Sequence, residues 1–237
     1  MTKPPPALRD MVGYHDLMAD LKKHGCPVCH GADRSAWKMI DGLLWESVND
    51  PGIRARLRAT HGFCRSHALM ALSVASEQSA ALGMAILYED FLRNVREEVI
   101  QATAPRQRRQ RRGLPRIGQP CMICHNADST ARNYLGVLAK AAEDTDPWRA
   151  IRRPERGLCL PHVTLGLRLH TANDEAANIA EAFLHGEAEL RRNLQELIRK
   201  HDYRFMPEGF TEEERASWVR AVHRLVGNPP PRRRPER

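Results

Sequence analysis

Six cysteines and two histidines of this chain form short motifs whose spacing is typical of metal ligands. There are two Cys-x2-Cys pairs and two Cys-x2-His pairs. Zinc takes four thiolate or imidazole ligands in a tetrahedron, and structural sites often draw two of them from a tight turn and two from another element. The motifs supply eight candidate ligands: Cys26, Cys29, Cys64, His67, Cys121, Cys124, Cys159 and His162. All six cysteines of the chain are used.

The second half of the ligand set repeats the first. An offset of 95 residues superimposes every ligand of the first set on one of the second without a gap, and the same offset matches Gly62 with Gly157. In both copies 34 residues separate the Cys-x2-Cys pair from the Cys-x2-His pair. Such self-similarity indicates an internal duplication. We therefore expect one site in each copy, the first with Cys26, Cys29, Cys64 and His67 and the second with Cys121, Cys124, Cys159 and His162.

Zinc is the predicted metal, two ions per chain, with haem and iron–sulfur clusters as rivals. The sequences of both Cys-x2-Cys pairs continue with a histidine, His30 or His125, which is the covalent haem attachment pattern. Haem attachment leaves Cys64 and Cys159 without a role, so both histidines are interpreted as solvent-facing. An iron–sulfur cluster with Cys3His ligation stays open. A further alternative is that the cysteines simply pack as small apolar groups.

The predicted class is all-α, with two pseudo-symmetric helical repeats in which each site joins a turn to a helix N-terminus. Apolar residues recur at three- and four-residue steps over 33–48 and 127–142, which predicts amphipathic helices after each Cys-x2-Cys turn. Each Cys-x2-His pair is expected to open a further helix, and each repeat to close with one long helix. The second closing helix is predicted to include Ile179, Phe183 and Leu190. Flanking helices are expected at 14–24 and 211–226.

The predicted domain order is a first metal-binding repeat, an Arg/Pro-rich linker, a second metal-binding repeat, a C-terminal helical extension and a basic tail. Their bounds are 14–104, 105–118, 119–201, 202–228 and 229–237. The net charge is +8, but 105–116 carries +6 and 229–237 carries +3, so the remainder is close to neutral. These strips could bind nucleic acid through phosphates, or be solvated linker and tail. The second interpretation is favoured because no aromatic residues are interleaved for base stacking.

An enzymatic role is not favoured. Four protein ligands close each site, whereas a catalytic zinc keeps one position open for water. Tyr88, Glu89 and Asp90 form a compact polar group on the first closing helix, interpreted as ordinary exposed residues. The start of the chain lacks the apolar segment of a signal peptide and no apolar run is long enough to span a membrane, which predicts a cytoplasmic protein without a membrane partner. The favoured function is a binding or scaffold module with a protein partner.

The motifs also carry a family resemblance. The stretches GCPVCH, LWESVNDPGIRARLRATHGFCRSHA, ALGMAILYEDFL, CMICH and GLCLPH resemble an uncharacterised bacterial family with duplicated Cys-x2-Cys and Cys-x2-His motifs, a domain of unknown function. The resemblance covers most of 14–200. It implies a bacterial source and the eight ligands as the shared feature, but no activity. His30 and His125 depart from the expected pattern and keep the haem alternative open.

Overall fold

The computed structural model describes residues 7–103, 119–141 and 145–229. Within these ranges the chain forms α-helices and two short 3-10 helices. The β-type backbone pairing there is a single isolated bridge between Gly25 and Arg156. The helices are α1 (Tyr14–Asp20), α2 (Pro27–Glu46), α3 (Pro51–Ala59), α4 (Arg65–Glu77), α5 (Ala81–Thr103), α6 (Met122–Ala139), α7 (Asp146–Ile151), α8 (Leu160–Leu169), α9 (Asn173–Leu184), α10 (Glu187–Arg199) and α11 (Glu212–Val226). The all-α prediction is confirmed. None of the described helices is long and apolar enough to cross a bilayer.

The chain divides into two compact units that do not follow the sequence repeats. Unit 1 contains the described parts of 1–32 and 129–230, and unit 2 those of 33–128. The unit boundaries fall inside α2 and α6, so each of these helices begins in one unit and ends in the other. The predicted linker 105–118 and the tail 229–237, except Pro229, lie outside the described residues.

Unit 1 has a core of apolar side chains from its own helices. Tyr134, Leu135 and Leu138 of α6 are almost fully buried, and the Tyr134 hydroxyl donates a 2.9 Å hydrogen bond to the buried carboxylate of Asp20 on α1. Helix α8 packs on α9, and α10 packs on α11. Burial of these branched and aromatic side chains is the main favourable contribution to folding of the unit.

Unit 2 has a separate core. Its almost inaccessible side chains include Ile40 of α2, Leu57 of α3, Leu87 of α5 and Ile123 of α6. Helices α3 and α4 both pack on α5. The predicted amphipathic pattern of α2 is the one observed, since Ala36, like Ile40, is buried at the helical spacing.

The second closing helix is not continuous, which corrects the sequence prediction. Ile179 and Phe183 belong to α9, whereas Leu190 belongs to α10. Between the helices, Gly186 has φ of 75°, a left-handed conformation that ends regular α-helix and that glycine adopts without a steric penalty. The apolar periodicity continues across this break, so it could not reveal the interruption.

Candidate metal centres

The structure gathers the eight predicted ligands into two groups of four, but with a different pairing from the predicted one. Site 1, in unit 1, consists of Cys26, Cys29, Cys159 and His162. Site 2, in unit 2, consists of Cys64, His67, Cys121 and Cys124. Each site therefore takes its Cys-x2-Cys pair from one sequence repeat and its Cys-x2-His pair from the other. The prediction of two Cys3His groups is confirmed, and the assignment of each group to a single repeat is corrected.

Each ligand pair lies at the N-terminus of a helix. Helices α4 and α8 begin directly after Cys64 and Cys159, as predicted for the Cys-x2-His pairs. Helices α2 and α6 begin directly after Cys26 and Cys121, so the predicted Cys-x2-Cys turn is itself the first turn of a helix. The unpaired amide groups and the positive end of the helix dipole stabilise negative charge there. Two helix N-termini thus meet at each site, in an arrangement that favours thiolates.

The ligand atoms of site 1 are spaced for a single small ion. His162 Nδ1 lies 3.5 Å from Cys26 Sγ, 3.4 Å from Cys29 Sγ and 3.1 Å from Cys159 Sγ. The sulfurs of Cys29 and Cys159 are 3.7 Å apart, and all four ligand atoms lie within 4.8 Å of one another. Tetrahedral zinc, with Zn–S of about 2.3 Å and Zn–N of about 2.0 Å, separates its ligand atoms by about 3.5–3.8 Å. The observed spacing fits that geometry.

Site 2 repeats these distances almost atom for atom. His67 Nδ1 lies 3.5 Å from Cys121 Sγ, 3.4 Å from Cys124 Sγ and 3.2 Å from Cys64 Sγ. The Cys124 and Cys64 sulfurs are 3.5 Å apart, and those of Cys121 and Cys124 are 3.7 Å apart. All six cysteines are free. The agreement between the two sites shows a pseudo-symmetric pair of Cys3His groups.

Main-chain contacts explain how unit 1 brings two distant motifs together. The N–H of Gly25 donates a 2.9 Å hydrogen bond to the carbonyl of Glu155, which places the residue before Cys26 beside the loop that leads to Cys159. In that loop Gly157 has φ of 138°, and an added Cβ would lie only 1.9 Å from a guanidinium nitrogen of Arg224. Glycine is thus required at this position on both conformational and steric grounds.

In unit 2, side-chain hydrogen bonds fix α6, which presents Cys121 and Cys124, against α2. The amide of Asn126, in the first turns of α6, donates to the carbonyl and the hydroxyl oxygens of Ser35 on α2, at 3.2 and 2.7 Å. Before Cys64, Gly62 has φ of 92°, and a Cβ there would lie 2.9 Å from the ring of Phe91. This matches the role of Gly157 in unit 1, and the sequence repeat had already aligned the two glycines.

The sequence model of the family of unknown function DUF6062 matches residues 15–232. The chain belongs to this family. It is also 28% identical over 214 residues to the uncharacterized 23.9 kDa protein in xynA 3'region of Caldicellulosiruptor sp. (strain Rt8B.4), which covers 89% of this chain and 99% of that relative. No solved structure matches the chain. The predicted resemblance is confirmed.

In each site of this DUF6062 chain, the pKa of one cysteine thiol is lowered and that of another is raised. In site 1, hydrogen bonds from Cys26 and Cys29 lower the pKa of Cys159 to about 4, whereas the hydrogen bond to Cys159 raises the pKa of Cys29. In site 2, burial raises the pKa of Cys124 to about 12. Burial also acts to raise the pKa of Cys121, but the hydrogen bond to His67 and backbone N–H groups lower it to about 6. A divalent cation would replace the shared protons and stabilise all the thiolates together.

The two histidines that follow the Cys-x2-Cys pairs are not among the ligand groups. His125 is exposed. His30 is half-buried, and its Nε2 lies 2.7 Å from the carbonyl oxygen of His24. The interpretation of both as solvent-facing therefore holds for His125 and is corrected for His30, which packs beside site 1.

The polar group on α5 also differs from its prediction as exposed residues. Glu89 is exposed, but Asp90 is only 2% exposed and binds arginines. Tyr88 is half-buried, packs edge-on against Phe91, and has its pKa raised by burial. The three side chains point to different environments, so they do not form one catalytic group.

Site 1 has an outer layer that sequence reasoning missed. The N–H of Asn228, just after α11, donates a 3.4 Å hydrogen bond to Cys29 Sγ. The Asn228 side chain accepts a 3.2 Å hydrogen bond from the N–H of Cys26 and donates a 3.1 Å bond to its carbonyl. A cavity of about 680 Å³ adjoins this layer and is lined by Cys26 and Cys159 together with Asn228. Asn228 lies just after the predicted helix 211–226 and belongs to no ligand motif, so the sequence did not indicate this contact.

Proposed function

We propose that this protein binds two Zn²⁺ ions, one in each Cys3His site, and that the ions stabilise the two units of a binding or scaffold module. The observation that carries the proposal is the convergence of three sulfurs and one imidazole nitrogen within 4.8 Å in both units. Three thiolates with one imidazole are a common ligand set of structural zinc. Four protein ligands fill a tetrahedron, which leaves no coordination position for substrate.

The spacing favours a single ion over the other cofactors considered. A multi-iron cluster needs room for inorganic sulfides between its ligands, and ligand atoms 3.1–3.7 Å apart do not provide it. Covalent haem would need the sulfurs of Cys26 and Cys29 for thioether bonds, yet both lie within 3.5 Å of His162 Nδ1. Nucleic-acid binding through 105–116 and 229–237 stays a prediction, since these segments lie outside the described residues apart from Pro229.

Two features of unit 1 support the binding role. The cavity beside site 1 has both acidic and basic lining residues, including Glu189, Glu213 and Arg220. On α11, Trp218, Val222 and Leu225 are each about half exposed or more and lie at helical spacing. Exposed apolar stripes with polar neighbours are characteristic of surfaces that contact other proteins.

The test is native mass spectrometry and elemental analysis of anaerobically purified protein, with an absorption spectrum. We expect two zinc ions per chain, no iron and no visible band. Cys29→Ser and Cys124→Ser should each remove one zinc, because each breaks one site. Arg65→Ala changes an exposed residue inside a Cys-x2-His turn without removing a ligand and should retain both. Fewer than two metal ions in the unmodified protein, or a coloured iron-containing sample, would contradict the proposal.

A further inference from the structure

The two sites have the same ligands but different surroundings. In site 1, Cys26, Cys29 and Cys159 are all buried, with exposed fractions of 2, 7 and 1%. In site 2, Cys121 is fully buried, but Cys64 and Cys124 are only half-buried. Access of solvent and chelators controls how fast a bound ion can be exchanged, so the sites are not equivalent.

The C-terminal end of α11 lies against the sulfurs of site 1. Gly227 has φ of 94°, and a Cβ added there would lie 3.3 Å from Cys29 Sγ and 3.7 Å from Cys159 Sγ. A side chain at this position would therefore contact the sulfurs and require a left-handed backbone, and both conditions favour glycine. The next residue, Asn228, donates its N–H to Cys29 and fixes both backbone groups of Cys26 with its side chain.

Arg224, one turn earlier on α11, adds positive charge near the same sulfurs. Its guanidinium donates to the carbonyls of Leu158, Arg156 and His185 at 3.1–3.4 Å. These three partners are neutral carbonyls, and the charged groups that interact with the guanidinium include Cys26 and Cys159 as well as Glu187 and Arg220. A zinc ion with three thiolates and one neutral imidazole has a net charge of −1. The half-buried guanidinium of Arg224 would offset part of that charge, because partial burial weakens screening by water.

We propose that the segment Arg224–Asn228 is an outer part of site 1 that slows metal release, so that site 1 retains zinc much longer than site 2. The inference rests on the proposed zinc binding and assigns positioning roles to Arg224 and Asn228. Hydrogen bonds to ligand sulfurs and fixed charges around a site tune metal affinity by about 10- to 100-fold. The segment comes from neither sequence repeat, which explains how a duplicated motif can give two unlike sites.

The test follows zinc transfer from the full-length protein, loaded with two zinc ions, to excess 4-(2-pyridylazo)resorcinol. Two phases of one zinc each are expected, with the fast phase absent in Cys124→Ser and the slow phase absent in Cys29→Ser. Arg224→Met should speed the slow phase at least about tenfold and leave the fast phase unchanged. Arg215→Met is the matched control, because Arg215 lies on the same helix but is exposed, with its guanidinium 6.0 Å from the ring of Phe210.

Two further variants separate an electrostatic role from a general loosening of α11. Arg224→Lys keeps the charge and should retain slow release of zinc from site 1. If Arg224→Lys and Arg224→Met speed the slow phase equally, the charge of Arg224 does not slow zinc release. Asn228→Ala removes the two side-chain hydrogen bonds to the backbone of Cys26 and should also speed the slow phase. This variant gives an independent test if Arg224→Met does not fold. A single release rate for both ions, or the same slow-phase rate in Arg224→Met and Arg215→Met, would refute the inference. Failure to load two zinc ions would instead refute the proposed function.

Discussion

Three arginines converge on one buried carboxylate, Asp90 of α5. Arg58 forms a fork with Nε and Nη2 donating to the two carboxylate oxygens at 2.7 and 2.8 Å. Nη2 atoms of Arg54 and Arg93 lie 3.3 and 3.1 Å away. The Arg58 hydrogen bonds hold the pKa of Asp90 down at about 2, although burial opposes the shift. Arg54 and Arg58 belong to α3, so this carboxylate fixes α3 on α5.

We predict that Asp90→Asn lowers the free energy of unfolding by about 2 kcal/mol at pH 7, in line with a pKa shift of nearly two units. A lowered pKa means that the stabilisation is present above the ordinary value near 3.8 and is lost as the pH falls towards 2. The difference between the unmodified protein and the variant in urea unfolding should therefore shrink below pH 4. Zinc release in acid lowers the stability of both proteins, so the two are compared at each pH at the same metal content.

The matched control for that prediction is Glu89→Gln. Glu89 precedes Asp90 on the same helix, but its side chain is 66% exposed. Its substitution should change the free energy of unfolding by less than about 0.5 kcal/mol. If Glu89→Gln and Asp90→Asn were equally destabilising, the arginine network would not be the source of the effect.

Among the elements, α11 has the most completely defined start. Thr211 Oγ1 accepts a 3.2 Å hydrogen bond from the N–H of Glu214, and the Glu214 carboxylate accepts a 2.9 Å bond from the N–H of Thr211. The same carboxylate binds Lys200 Nζ at 2.7 Å in a buried ion pair between α10 and α11. In the sequence, a threonine followed three residues later by a glutamate is the pattern of such a capping box. It fixes the helix whose other end closes site 1.

Loss of the cap should weaken this helix. We expect Thr211→Ala to lower the free energy of unfolding by about 1 kcal/mol, because one N–H at the start of α11 loses its acceptor. Thr211→Ser keeps the hydroxyl and should stay close to the unmodified protein. Thermal and urea unfolding of the zinc-loaded protein would measure both. Equal destabilisation by Ser and Ala would show that the threonine methyl group, not the cap, is important.

At the scale of the whole molecule, the main feature is the exchange of half-motifs between the repeats. Unit 1 joins α2 to α8, and unit 2 joins α4 to α6. Each site therefore closes a long loop of chain, which constrains the unfolded state more than a short loop does. Structural zinc contributes on the order of 10 kcal/mol per site in small domains, so both units should depend strongly on their ions.

Paired substitutions distinguish the observed pairing from pairing within each repeat. Cys29→Ser with Cys159→Ser affects site 1 alone, so this double variant should retain one zinc. Cys29→Ser with Cys64→Ser breaks both sites and should retain none. Native mass spectrometry gives the count directly. The opposite result, one zinc with Cys29 and Cys64 replaced and none with Cys29 and Cys159 replaced, would show that each repeat holds its own ion.

The sequence by itself determined the ligand types and the helices that present them. Within Cys-x2-Cys and Cys-x2-His pairs the geometry is local, so spacing alone identified Cys26, Cys29 and their counterparts. Helical periodicity is local in the same way, which is why α2, α4 and α11 were predictable. Glycines at 62 and 157 were aligned by the repeat before their left-handed conformations were known.

Only the tertiary structure decided which half-motifs meet. Both Cys-x2-His pairs offer the same ligands at the same spacing, so local chemistry cannot choose between them. The choice depends on long-range contacts such as Gly25 N–H to the Glu155 carbonyl, and on which apolar faces pack into one core. The burial of Asp90 and the closure of site 1 by Asn228 are likewise set by packing between segments distant in sequence. Packing of this kind produces no periodic pattern in the amino-acid sequence, because it depends on the positions of whole helices.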